Sequence, residues 1–236
     1  MAGRLENRLA LITGASRGIG AAVAKRFAAE GAHVVLVART KGGLEEVDDA
    51  IRTAGGNATL VPLDLHDFEG IDRLAAVLAE RHGKLDILVG NAAILGALSP
   101  MSHYEPKTWQ QVIDINLNAN WRLIRDFDAL LRASDAGRAM FVTSGVARDI
   151  RAYWGPYAVS KAGLENMVLG WAAELNNTRV CANLIDPGRV RTGMRRQAYP
   201  GEDANKHPYP DAITDAFVSL AEATCAQSGE LVTVAP

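Results

Sequence analysis

Tyr157 and Lys161 lie four residues apart in the stretch Gly155-Pro156-Tyr157-Ala158-Val159-Ser160-Lys161. On a helix that spacing sets a phenol and an ammonium on one face, a turn apart, where the positive charge favours phenolate over phenol. Such a pair can work as a general acid or base. Pro156 suits the start of a helix, where its missing N–H costs nothing, and so puts Tyr157 in the first turn, where the helix dipole also favours negative charge. A free tyrosine titrates near pH ~10, and its use near neutrality asks for on the order of 3 to 4 kcal/mol of differential stabilisation. One exposed lysine does not supply that much, whereas a partly desolvated one, helped by a cationic cofactor, could. The same spacing also describes an ordinary surface pair, and the rest of the chain has to decide.

The elements that would hold the pair alternate regularly. Leu9–Ile12 reads as a strand, Thr13–Gly20 as a glycine turn opening a helix, and His33–Ala38 as a fully apolar strand of the kind that parallel sheets bury on both faces. Gly42–Ala54 and Phe68–Arg81 read as helices, Ala58–Leu63 and Leu85–Val89 as strands. Trp109–Leu131 carries the longest helical pattern, interrupted by the polar residues Asn116, Asn118 and Asn120. Ala139–Thr143 is a fifth strand, Pro156–Leu175 the helix bearing Tyr157, and Arg179–Ile185 a sixth strand. Residues 189–210 form an irregular substrate loop with at most a short helix, followed by a helix at Ala212–Ala223 and a last strand at Leu231–Val234. This alternation predicts an α/β fold: one doubly wound, Rossmann-like, mainly parallel sheet of about seven strands with helices on both faces. Residues 1–236 are expected to make one NAD(P)-binding domain.

Composition narrows the function classes. A net charge of -2 gives no field for nucleic acid or an anionic membrane surface, and no apolar run is long enough for a membrane span or a signal peptide. Cys181 and Cys225 lie far apart without ligand spacing, and His33, His66, His82, His103 and His207 share none, so neither a disulfide framework nor a metal is predicted. A reducing cytoplasm fits best.

The turn Thr13-Gly14-Ala15-Ser16-Arg17-Gly18-Ile19-Gly20 follows a strand and opens a helix, the context in which glycines let a backbone approach a pyrophosphate at a helix N-terminus. In such folds an acidic side chain at the end of the second strand holds the adenosine ribose, whereas arginine there accommodates a 2′-phosphate. Here the second strand ends Val37-Ala38-Arg39-Thr40, with no carboxylate, and Arg39 with Arg17 forms a candidate phosphate fork. NADP is favoured over NAD.

Gly14-x-x-x-Gly18-x-Gly20 together with Tyr157-x-x-x-Lys161 resembles the single-domain short-chain dehydrogenase/reductase family over nearly the whole chain. Asp64-Leu65 matches the family's adenine-contacting pair. Gly90-Asn91-Ala92-Ala93 matches its Asn-Asn-Ala-Gly turn, with Gly for the first Asn and Ala for the last Gly. Asn116, Ser144, Tyr157 and Lys161 match its catalytic tetrad, and Pro187-Gly188-x-Val190-x-Thr192 the segment that holds the nicotinamide carboxamide. The resemblance thus implies cofactor contacts from Gly14, Ser16, Arg17, Gly18, Ile19, Gly20, Arg39, Thr40, Asp64, Leu65, Asn91, Ala92, Tyr157, Lys161, Pro187, Gly188, Val190 and Thr192. Ser228–Val234 resembles the last strand of the family but stops before its usual Asp-Gly-Gly.

The implied mechanism gives Tyr157 the proton transfer to or from the substrate oxygen, and Ser144 a hydrogen bond to that oxygen. Lys161 would lower the tyrosine pKa and hold the nicotinamide ribose, and the backbone carbonyl of Asn116 would hold a water leading from Lys161 to solvent. Met194, Tyr199 and His207 are candidates for a lid, Arg148, Arg151, Tyr153 and Trp154 for the pocket wall, and Trp121 and Trp171 for helix packing. The expected activity is NADP-dependent interconversion of a small-molecule carbonyl and alcohol, in a homodimer or homotetramer built through the helices at Trp109–Leu131 and Pro156–Leu175. Two alternatives stand beside it: a 3-oxoacyl thioester reductase of fatty-acid type, and a non-catalytic NADP-binding regulator.

Overall fold

The computed structural model describes residues 3–234. Among them, seven parallel strands form one sheet in the order β3-β2-β1-β4-β5-β6-β7: β1 Leu9–Thr13, β2 His33–Ala38, β3 Asn57–Pro62, β4 Ile87–Gly90, β5 Arg138–Val142, β6 Cys181–Asp186 and β7 Leu231–Thr233. Strand order reverses between β1 and β4, so the carboxyl ends of these two neighbours open the crevice where ligands bind in open α/β sheets.

Side chains alternate across each strand and sort the core into two layers. Ala10, Ile12, Val34, Leu36, Met140 and Val142 face α1 (Gly18–Ala29), α2 (Lys41–Thr53) and α8 (Thr214–Ala221) through Val23, Phe27, Leu44 and Phe217. Leu9, Leu11, Val35, Val37, Phe141 and Leu184 face α3 (Phe68–His82), α5 (Ala119–Ala133) and α6 (Gly155–Glu174) through Leu74, Phe127, Leu164 and Trp171. Burial on both sides is why these strands read as unbroken apolar runs.

Three expectations change. The pattern over Trp109–Leu131 is not one regular helix: α4 (Pro106–Ile113) runs into a π-helical turn at Asp114–Asn118 before α5 begins. The wider turn carries Asn116 and turns its side chain inward, as inserted turns of this kind often do at functional sites. Within 189–210 the chain is more ordered than its composition suggests, with α7 at Gly193–Ala198 and 3₁₀ turns at Ala204–Lys206 and Pro210–Ile213. Trp171 packs as expected, buried and donating to Asp128 Oδ1 at 3.1 Å, but Trp121 stays 48% exposed under the guanidinium groups of Arg122 and Arg125. No helix among the described residues is long and apolar enough to cross a membrane.

Candidate active site

The turn after β1 is built around a steric constraint. Gly14 and Gly18 have φ of 67° and 59°, and a Cβ on Gly14 would stand 2.8 Å from Asn91 Nδ2 and 3.0 Å from Ala92 Cα. Thr13 ties this turn to the end of β4. Its Oγ1 donates to Val89 O at 3.2 Å and accepts from Asn91 N at 3.0 Å and Ala92 N at 3.1 Å, while Asn91 Nδ2 donates to Thr13 O at 2.8 Å. No side chain caps α1, so its first backbone N–H groups face the crevice unclaimed.

A cavity of about 680 Å³ runs from that turn to the N-terminal end of α6. Its walls include Gly14, Ser16, Arg17, Gly18, Ile19, Arg39, Thr40, Asp64, Leu65, Asn91, Ala92, Ser144, Tyr157, Lys161, Pro187, Gly188, Val190 and Thr192. Two predicted residues do not reach it. Gly20 is buried beneath the turn, where a Cβ would stand 2.4 Å from Gly14 O, and Asn116 is wholly enclosed behind the wall. Arg17 and Arg39 lie exposed at the far end, where Arg39 Nη1 stands 3.7 Å from Asp64 Oδ2. Two cations and a helix N-terminus along one cleft suit a dinucleotide with three phosphate groups. The residues present therefore fit NADP.

At the other end, Ser144 follows β5, and Tyr157 and Lys161 stand in the first two turns of α6. Lys161 Nζ donates to Val142 O at 2.7 Å and lies 5.8 Å from the centroid of the Tyr157 ring. Burial pushes Lys161 down to about 8, opposed by the negative charges of Glu165 and Asp186. The expected depression of Tyr157 is not what the chain alone produces. Burial pushes its phenol up to about 12, a hydrogen bond with Ser144 works against that rise, and the charge of Asp186 adds to it. Desolvation outweighs the hydrogen bond with Ser144, so near neutrality Tyr157 is a protonated phenol, ready to donate.

Asn116 takes part through its side chain. Its Oδ1 accepts from Ile94 N at 2.9 Å, and its Nδ2 donates to Ile94 O at 2.9 Å and to Ser160 Oγ at 3.1 Å, tying the loop after β4 to α6. Its backbone carbonyl, expected to hold a water, accepts from Asn120 Nδ2 at 2.8 Å. The glycine replacing the family's first Asn also has a local reason. A Cβ on Gly90 would lie 2.3 Å from Phe141 Cδ1 and 2.6 Å from Asn120 Oδ1, so these two side chains occupy the space.

Around Tyr157 the cavity is apolar and aromatic. Leu95 and Val146 pack on the ring together with Trp154, Met194 and Ala198. Trp154 lies 5.8 Å from Tyr157 and 5.9 Å from Tyr199 between ring centroids. The lid residues Met194 and Tyr199 line the cavity, and Gln197 Nε2 reaches Gly96 O at 3.2 Å across it. His207 does not join them: it pairs with Glu202 at 3.0 Å. Of the expected wall residues, Trp154 alone reaches the cavity. Arg151 approaches through the Tyr199 hydroxyl at 3.3 Å, Tyr153 is 60% exposed, and Arg148 is held by Glu165 and Asp186. Leu95, Val146 and the carboxylates Glu165 and Asp186 that face Lys161 do not stand out in the sequence reading. Glu165, one turn beyond Lys161, was the signal available.

Known proteins agree with this architecture. The sequence profile described as short chain dehydrogenase matches residues 8–203. The uncharacterized oxidoreductase YciK of Escherichia coli K12 is 37% identical over 219 residues, 92% of this chain and 86% of its own. A short chain dehydrogenase from Shigella flexneri 2a, solved in complex with NADP, superposes with a TM-score of 0.94 at 36% identity over 99% of both chains. One from Escherichia coli CFT073, in complex with NADPH, gives 0.93 at 36% identity over the full length of both. The chain belongs to the short chain dehydrogenase family, the NAD(P)-dependent oxidoreductases that act on CH–OH groups.

Proposed function

We propose that the protein interconverts a small-molecule carbonyl and its alcohol with NADP, Tyr157 serving as the general acid/base. The observation that carries the reading is the convergence of Ser144, Tyr157 and Lys161 on one wall of the cleft that begins at the glycine turn. The structures of relatives with NADP and NADPH support the cofactor, as do Arg17 in the glycine turn and Arg39 at the end of a second strand that lacks the carboxylate of an NAD site. Ser16, Gly18 and Ile19 would hold the pyrophosphate, Asp64 and Leu65 the adenine, and Pro187, Gly188, Val190 and Thr192 the nicotinamide end.

When bound, NADPH supplies a hydride from its nicotinamide ring. The Tyr157 hydroxyl, protonated near neutrality, donates its proton to the carbonyl oxygen as negative charge develops there. The Ser144 hydroxyl is placed to hydrogen-bond the same oxygen. Lys161, which burial makes readier than a free lysine to give up its proton, would pass a proton toward Tyr157 and orient the cofactor ribose. Leu95, Trp154, Met194, Ala198 and Tyr199 favour a carbonyl carried on an apolar or ring-bearing group and keep water from it.

The chain would work as one folded unit in the reducing cytoplasm, consistent with the free thiols of Cys181 and Cys225. A homodimer or homotetramer would form through α5 and α6, which leave Trp121, Val159 and Leu169 exposed. The test is a turnover screen of aryl ketones, aldehydes and secondary alcohols with NADPH or NADP, read at the nicotinamide absorbance. Consumption of NADPH with a carbonyl supports the reading. Binding of NADPH without turnover across the panel contradicts it.

A further inference from the structure

Arg148 stands four residues after Ser144 but does not line the cleft. Nη1 donates to Glu165 Oε1 and Nη2 to Asp186 Oδ2. Glu165 is one turn beyond Lys161 on α6 and also accepts from Thr143 Oγ1 at 2.7 Å. Asp186 ends β6 and accepts from Gly188 N at 3.1 Å. The two carboxylates are only 13% and 8% exposed, whereas the guanidinium is 38% exposed. One cation thus joins the ends of β5 and β6 to α6, and each of these three elements carries part of the site.

A tie between three elements would be sufficient as a structural role, but the charges point further. Tyr157 is faced by Ser144 from the end of β5, by Asp186 from β6, by Lys161 from its own helix and by the uncharged ring of Trp154. Lys161 is faced by Glu165 on α6, Asp186 on β6 and the Val142 carbonyl on β5, and from the π-helical turn only the neutral Asn116 approaches, through Ser160. Asp149 lies at the edge of the cluster, where it pairs with Arg151. Two poorly solvated carboxylates therefore face Lys161, one of them, Asp186, faces Tyr157 as well, and an unneutralised negative charge there holds a proton more tightly on the group it faces. Arg148 is the cation that meets both carboxylates.

We propose that Arg148 is a positioning residue that cancels the charge of Glu165 and Asp186 beside the Tyr157–Lys161 pair and so limits how tightly both groups hold their protons. The proposal rests on the reading of Tyr157 as the acid/base. Loss of Arg148 leaves two negative charges unbalanced, the protonated forms of Lys161 and Tyr157 gain, and alcohol oxidation, which needs the phenolate, moves to higher pH.

The test is substrate-free. In the full chain labelled with ¹³C,¹⁵N-lysine, the side-chain resonance of Lys161, assigned by its loss in Lys161→Met, is followed against pH. A midpoint near 8 is expected for the wild type. In Arg148→Met it should rise by about one pH unit or more. It should fall back to or below the wild-type value in the triple variant Arg148→Met/Glu165→Gln/Asp186→Asn, and stay close to wild type in Arg148→Lys, which keeps the charge and gives up the fork. A purely structural tie would lower stability in these variants without moving the midpoint. An unmoved midpoint in Arg148→Met overturns the proposal. If that variant does not fold, Glu165→Gln alone must lower the Lys161 midpoint, and a failure to do so overturns the proposal equally. Failure of the acid/base reading is seen elsewhere, as wild-type turnover in Tyr157→Phe, a measurement into which the lysine titration does not enter.

Discussion

Asn116 offers the sharpest quantitative test of how the site is held. It is wholly buried, and its side chain makes three hydrogen bonds: one from Ile94 N, one to Ile94 O and one to Ser160 Oγ. Asn116→Ala deletes all three. At a net worth of about 1 kcal/mol for each bond, the fold should lose about 2 to 3 kcal/mol, the lower end if water reaches the half-buried Ile94 backbone. For a chain of this size that corresponds to a fall in Tm of roughly 4 to 12 °C. Thermal unfolding followed by circular dichroism reads it. Two controls sharpen the assignment. Asn120→Ala removes only the bond from Asn120 Nδ2 to Asn116 O and should cost about a third as much. Asn116→Asp keeps the acceptor for Ile94 N but turns a second oxygen toward Ile94 O and buries a charge, so it should be at least as damaging as alanine. If Asn116→Ala melts within about 1 °C of the wild type, the side-chain clamp is not what joins the loop after β4 to α6.

Other perturbations test separate parts of the account. Arg39→Asp should weaken NADP by about 10- to 100-fold, from loss of a charged hydrogen bond and gain of a repulsive charge, and leave NAD nearly unchanged; an unaltered preference in a binding titration removes Arg39 from the phosphate site. Gly20→Ala would set a Cβ 2.4 Å from Gly14 O and 2.5 Å from Asn91 Nδ2, and the strain of about 1 to 3 kcal/mol should appear as weaker NADPH binding by fluorescence, while an unchanged Kd would show that the turn yields freely. Lys161 gives stability a pH dependence. Its folded pKa of about 8 lies below the ordinary 10.5, so above pH 8 the unfolded chain holds the proton that the folded one has lost, and stability rises with pH across that window. Between pH 8 and 10 the unfolding free energy of wild type relative to Lys161→Met should rise by about 2 to 3 kcal/mol in urea titrations, and a flat difference would show that the ammonium is not desolvated.

Strand positions were legible in the sequence because burial on both faces leaves no polar side chain to interrupt the apolar runs of β1, β2 and β4, and the glycine turn and the Tyr157–Lys161 spacing are local signals. What escaped depends on contacts between distant segments. The π-helical turn at Asp114–Asn118 was hidden because its residues keep a nearly helical pattern, and only the inward asparagines hint at it. The raised phenol of Tyr157 is not legible from spacing, which sees the ammonium one turn away but not the burial of the ring. From its place in the chain Arg148 reads as a pocket residue, whereas its partners, Glu165 and Asp186, come from elements 17 and 38 residues further on. The substitution at Gly90 became intelligible only beside Phe141 and Asn120.

The central claim is that a single phenolic proton at the end of the cleft completes the reduction. Tyr157→Phe keeps the ring and its packing against Trp154, Leu95 and Val146 and removes only that proton. With a carbonyl substrate from the screen, kcat for NADPH oxidation should fall by about 10²- to 10⁴-fold while the Kd for NADPH stays within about twofold of the wild type. Turnover by Tyr157→Phe at the wild-type rate would contradict the account.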